Sequence, residues 1–112
     1  MKKVWKKAIA ASELAVGEKG CVQFGQHFIA LVHFSEQQWY AVQNVCPHQQ
    51  QNVISRGIIG DHQGEPKIVC PMHKNGFSLL TGQHLGGNEN LSLQTFPIKM
   101  EGEHVFVQIE ET

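Results

Sequence analysis

The feature that most restricts this chain is a pair of matched short segments. The first reads Cys46-Pro47-His48 and the second Cys70-Pro71-Met72-His73, with 21 residues between them. Each segment offers one thiolate and one imidazole, and each carries Pro directly after its Cys. Pro fixes φ and donates no N–H, so it stiffens a turn and does not continue a strand. Two stiff loops of this kind supply a four-ligand set of two sulfurs and two nitrogens. The fold must then bring two loop tips together and hold them on something rigid.

The order of the ligand types narrows the metal. Zinc fingers group like ligands, as Cys-x-x-Cys followed by His-x-x-x-His. Here Cys and His alternate between the two loops, which suits a two-iron cluster with two Cys on one iron and two His on the other. A structural zinc site is the competing reading. A Cys46–Cys70 disulfide is another, and it leaves the matched histidines unexplained.

The Cys-x-His … Cys-x-x-His pattern resembles the signature of Rieske-type [2Fe–2S] proteins. The resemblance implies a Rieske cluster as cofactor, held by Cys46, His48, Cys70 and His73, with the histidines at an exposed tip. Neutral imidazoles in place of thiolates remove negative charge from one iron and ease its reduction. Rieske centres accordingly lie at about −150 to +300 mV, against about −400 mV for all-Cys plant-type clusters. High-potential members of the class carry an extra Cys in each segment; here Gln51 and Asn75 lie near those places. A midpoint at or below about 0 mV is therefore expected.

A longer resemblance runs from Trp5 to Val107. Ser55-Arg56-Gly57, Gly60-Asp61-x-x-Gly64-Glu65-Pro66-Lys67, Cys70-Pro71-Met72-His73-Lys74 and Phe77-Ser78-Leu79 are similar to the small subunit of assimilatory NAD(P)H-dependent nitrite reductase. That resemblance implies a large partner subunit carrying flavin, sirohaem and further iron–sulfur clusters, and reduction of nitrite to ammonium in the cytoplasm. Some members of that family have lost the ligands, and this chain keeps all four.

Composition agrees with one small domain over residues 1–112 that has enough chain for a core. The 41% hydrophobic and 17% charged contents suit a globular protein, and a net charge of −1 creates no field for nucleic acid or an acidic membrane. Three cysteines are too few and too odd for a disulfide scaffold, and they point to a reducing compartment. The basic start Met1 to Lys7 lacks the apolar run of a signal peptide. The longest apolar stretch, Phe28 to Val32, is far too short to span a bilayer. A cytoplasmic protein is expected.

The rest of the chain reads as all-β: an antiparallel sandwich or barrel base with a smaller cluster-binding lobe, about residues 43–82, inserted in it. Strands are expected at Val4 to Ile9, Cys21 to Phe24, Gln26 to Phe34, Trp39 to Val45, Lys67 to Val69, Phe77 to Leu80, Leu91 to Met100 and His104 to Ile109. In the third, His27, Ile29, Leu31 and His33 share one face and Phe28, Ala30, Val32 and Phe34 the other, so that strand belongs at the centre. Asp61 to Pro66 reads as a turn. Pro97 places its strand at an edge or a bulge.

Side chains outside the four-ligand set have plainer expected roles. Cys21 reads as a small buried hydrophobe, and His27, His33, His62, His84 and His104 as sheet or loop residues. Met72 is expected to pack over the cluster. Arg56 and Lys74 read as surface charges, with docking to an acidic partner as the sharper alternative. No Gly-x-Gly-x-x-Gly nucleotide fingerprint occurs between a strand and a helix. A single [2Fe–2S] centre passes one electron at a time, so the chain reads as a redox subunit and not as a catalyst by itself. A free Rieske ferredoxin serving an oxygenase and a cluster-free structural subunit are the alternatives.

Overall fold

The computed structural model describes residues 2–47, 51–71, 76–87 and 90–111. These form three antiparallel sheets and two single-turn 3₁₀ segments, Ala11–Glu13 and Ile54–Arg56. Among the described residues no helix is long and apolar enough to cross a membrane.

The second sheet holds the molecule together. It runs in the order β2 (Lys19–Phe24), β3 (His27–Ser35), β4 (Gln38–Gln43) and β8 (Thr95–Phe96). β3 is interior, as its sequence requires: HFIALVHFS is apolar on both faces and would be poorly accommodated at a solvated edge. Its two faces feed two separate cores. Ala30 and Val32 pack with Val42, Ile54, Ile68, Phe77, Leu79, Leu93 and the two motif cysteines. Ile29 and Leu31 pack with Ala41, Phe96, Val107 and Ile109. Ile29, Ala30, Leu31 and Val32 are all fully buried, each contributing up to about 1.5–3 kcal/mol if Ala30 is set aside.

The first sheet, β1 (Lys2–Ala10), β10 (His104–Glu111) and β9 (Ile98–Glu101), closes the second core. β1 lies at its edge, guarded by lysines, and a register shift between Lys7 and Ile9 lets Val4, Ala8 and Ile9 all pack inward. Lys99 sits over the Trp5 ring, 4.5 Å from its centroid, on the outer face of this sheet.

The expected strand from Leu91 to Met100 is divided. Its middle pairs with β4 through Ala41 and Phe96, and its end pairs with β10 through Ile98 and Val107. Pro97 is the hinge between sheets. It has no N–H for either ladder, while its carbonyl accepts from Gln108 N at 2.9 Å. The third sheet is β5 (Ile58–His62), β6 (Glu65–Val69) and β7 (Gly76–Ser78). Here the expected turn from Asp61 to Pro66 proves mostly strand. Asp61 pairs with Pro66 and His62 with Glu65, leaving only Gln63 and Gly64 to turn the chain.

Candidate metal centre

Each motif cysteine sits just beyond a strand end. β4 stops at Gln43, and the chain then turns under itself to present Cys46. Asn44 N donates to Phe28 O at 2.7 Å, which ties the start of this loop to β3. Cys46 N donates to Gln51 O at 2.7 Å, and Val45 bridges to Asn52, which closes the loop. Cys70 follows β6 directly, and the last ladder pair before it joins Val69 to Gly76.

Cys46 and Cys70 meet in the first core. Their sulfurs are 3.2 Å apart, and both residues are 0% exposed. Ala30, Val32, Val42, Ile54, Ile68 and Phe77 surround them with apolar groups. A disulfide holds its sulfurs at about 2.05 Å, so the pair is in contact without being bonded. Two thiolates on one tetrahedral metal at about 2.3 Å would stand about 3.8 Å apart. The pair therefore fits a shared tetrahedral metal, iron or zinc alike, after opening by roughly half an ångström. His48 and His73 lie outside the described residues, as do Met72, Lys74 and Asn75.

The remaining histidines take other partners. His27 Nε2 lies 3.2 Å from Glu110 O, and His33 Nδ1 lies 2.8 Å from Leu14 O. The His33 ring also stacks on Trp39 at 3.9 Å. His84 packs edge-on to Phe77, and His62 and His104 fall at strand ends. Among the described residues no group of three or more His, Cys, Asp or Glu side chains is arranged to hold a metal ion. Cys21 departs from expectation. It lies exposed on edge strand β2, where partial burial still pushes its thiol above the usual 9.0, opposed by a backbone hydrogen bond at Ile29.

Three residues near the cysteines carry structural duties that motif reading passes over. Asn44 is a buried polar residue, 2% exposed, two positions before Cys46. Gly57 is pressed against the Val69 carbonyl, leaving no room for a Cβ. Buried Ser78 donates to the Glu65 carboxylate and accepts from Leu80 N and Thr81 N, organising the turn after β7. An Asn inside the strand expected from Trp39 to Val45 was the available signal for the first; the second and third fall in the segments Ser55-Arg56-Gly57 and Phe77-Ser78-Leu79, but nothing local gives their structural duties.

The chain matches the Rieske-like [2Fe–2S] domain model over residues 4–108. It is 36% identical over 85 residues to the large subunit of nitrite reductase [NAD(P)H] from Klebsiella oxytoca, a stretch that takes in 76% of this chain and spans only 9% of that relative. It is 31% identical to the ferredoxin component of the alkene monooxygenase system of Xanthobacter autotrophicus, over 90% of this chain and 78% of that one. Its fold superposes on a Mycobacterium tuberculosis protein assigned as an NADH-dependent nitrite reductase small subunit, with a TM-score of 0.91, 27% identity and 100% of both chains covered. With two buried sulfurs in contact and a family match across nearly its whole length, the chain belongs to the Rieske-like [2Fe–2S] domain family.

Proposed function

We propose that this chain is the electron-transfer small subunit of an NAD(P)H nitrite reductase, with Cys46, His48, Cys70 and His73 as the ligands of its [2Fe–2S] cluster. The observation that carries the proposal is the convergence of Cys46 and Cys70 in a chain whose fold matches, end to end, a protein assigned as a nitrite reductase small subunit. The cluster, when bound, supplies a one-electron carrier.

The protein's own residues do the rest. Cys46 and Cys70 bind as thiolates, and His48 and His73 each offer a neutral ring nitrogen. The apolar shell of Ala30, Val32, Ile54, Ile68 and Phe77 keeps water from the sulfur side. Residues 43–82 act as the cluster-binding lobe of a single domain over 1–112. Exposed Arg56, beside the third sheet, is a docking charge for an acidic partner.

The partner in this reading is the large, flavin- and sirohaem-containing subunit, and the setting is cytoplasmic nitrate assimilation. Reducing nitrite to ammonium takes several electrons and a metal that holds the substrate, so the small subunit relays and does not catalyse alone. Co-purification with a nitrite reductase large subunit, and recovery of nitrite-dependent NAD(P)H oxidation on adding this chain, tests the proposal. Absence of both defeats it.

The likeness to the alkene monooxygenase ferredoxin favours a second reading, a free carrier for an oxygenase. Electron delivery to an oxygenase, with no effect on a nitrite reductase, would select it. Protein that stays colourless after anaerobic reconstitution would select a cluster-free structural subunit over both.

A further inference from the structure

The geometry points to Asn44 as a positioning residue that sets the separation of the two cluster sulfurs, through a backbone path joining the Cys46 loop to the Cys70 loop. The inference rests on the ligand reading proposed above.

Asn44 holds three consecutive N–H groups. Its carbonyl accepts from Val53 N at 3.1 Å and Ile54 N at 3.0 Å, and its side-chain Oδ1 accepts from Ser55 N at 2.6 Å. These N–H groups lie at the start of the 3₁₀ segment Ile54–Arg56, where helical geometry leaves donors unpaired; Val53 N is shared with Gln51 O at 2.9 Å, while Ile54 N and Ser55 N rely on Asn44. A side chain from a remote strand end therefore caps this segment. Asn44 Nδ2 reaches Asn52 Oδ1 at 3.4 Å, on the same loop.

The path continues to the other cysteine. Ile54 O accepts from Gly57 N at 2.9 Å. Gly57 lies so close to the Val69 carbonyl that a Cβ there would overlap it, and Ile54 O is the next atom in reach. Val69 directly precedes Cys70. Asn44 is itself anchored to Phe28 O on β3. One continuous chain of contacts thus runs from β3 through Asn44, the 3₁₀ segment and Gly57 to Val69. It ties the segment flanking Cys46 to the strand that leads into Cys70.

Asn44 and Ile54 are buried and the Asn44–Ser55 bond is partly buried, so an unpaired Ser55 N–H regains only part of its hydrogen bonding from water. Removing the side-chain acceptor therefore shifts the 3₁₀ segment, and with it Gly57 and Cys70. Gly57→Ala disturbs the same path from its far end.

The test uses the full chain, reconstituted anaerobically with iron and sulfide. Wild type, Asn44→Leu, Asn44→Asp, Gly57→Ala and Val107→Ala are compared by the electron paramagnetic resonance line shape of the reduced cluster and by the rate of iron loss to a chelator. Asn44→Leu and Gly57→Ala are expected to share an altered line shape and to lose iron about 10–100-fold faster. Asn44→Asp keeps an oxygen for Ser55 N–H and is expected to restore the wild-type line shape. Val107→Ala, in the other core, is expected to lower the melting temperature with both readouts unchanged. A loaded wild type matched in both readouts by folded Asn44→Leu or Gly57→Ala overturns the inference alone. So does a Val107→Ala variant that reproduces their changes. Should Asn44→Leu and Gly57→Ala not fold, an Asn44→Asp spectrum unlike wild type overturns it. A wild type that takes up no iron overturns the ligand reading and this inference together.

Discussion

Cys46 Sγ and Cys70 Sγ lie 3.2 Å apart, although 24 positions separate them in the chain. Neither residue reaches solvent. Both sit against the face of β3 that carries Ala30 and Val32, so the central strand forms the floor of the site. Replacing either sulfur should therefore remove one iron ligand without opening the core. Cys46→Ser and Cys70→Ser are each expected to fold and to lose most of their iron and sulfide. Elemental analysis and the visible absorption spectrum check this; a full complement of iron in either variant counts against the shared-iron geometry.

The two loops carry no spare cysteine to cross-link them. Without that cross-link the cluster should sit in the lower part of the Rieske range, at or below about 0 mV. Titration of the reduced-cluster resonance against potential measures it. A midpoint near +300 mV, the top of the range, would contradict the expectation.

Gly82 follows the turn that Ser78 organises. Its φ is +80°, and a Cβ at this position would overlap the Leu93 carbonyl. Its own carbonyl accepts from Leu93 N at 2.7 Å, so the segment has no easy way to move aside. Gly82→Ala is expected to cost about 1–3 kcal/mol or more. Urea unfolding should show a lower midpoint with an unchanged m-value.

Ile58 and Ile68 lie on neighbouring strands of the third sheet with opposite surroundings. Ile68 is 0% exposed and packs with both cysteines, whereas Ile58 is 72% exposed. Ile68→Ala should lose about 2–5 kcal/mol through lost contacts and a residual cavity. Ile58→Ala should stay within about 0.5 kcal/mol of wild type. Parallel denaturation curves distinguish the two, and equal losses would refute the burial difference.

The Cys21 thiol has its pKa raised above 9.0 by partial burial. Its folded form therefore holds the proton more tightly than the unfolded chain does. The stability this contributes is present below about pH 9 and is lost as pH rises through the folded value. At pH 8 Cys21 should be alkylated by iodoacetamide more slowly than free cysteine, with the rate climbing above pH 9. Mass spectrometry of the labelled protein follows this directly. A thiol already fully reactive at pH 8 would contradict the shift.

Much of this architecture was legible in one dimension. Apolar residues on both faces of Gln26 to Phe34 placed that strand in the middle of a sheet, since an edge or a solvated face would waste half of them. The matched Cys-Pro segments announced that two distant loops must meet. Lysines around Val4 to Ile9 marked an edge strand.

Other features depend on atoms that only folding brings together. Pro97 forbids a ladder N–H, but which two sheets it joins depends on the separate partners Ala41 and Val107. Asp61 and His62 look like turn residues, yet pairing with Pro66 and Glu65 makes them strand, because cross-strand hydrogen bonds outweigh weak local preference. Cys21 was expected inside from its apolar neighbours, but β2 is an edge strand and its alternate side chains face water. Gly57 is required by the Val69 carbonyl and Asn44 by Ser55 N–H, neither a near neighbour in the chain. The candidate ligand set and strand periodicity are properties of residue type and spacing, and these belong to the sequence alone. Contact between remote backbone atoms is a property of packing, and only the tertiary structure decides it.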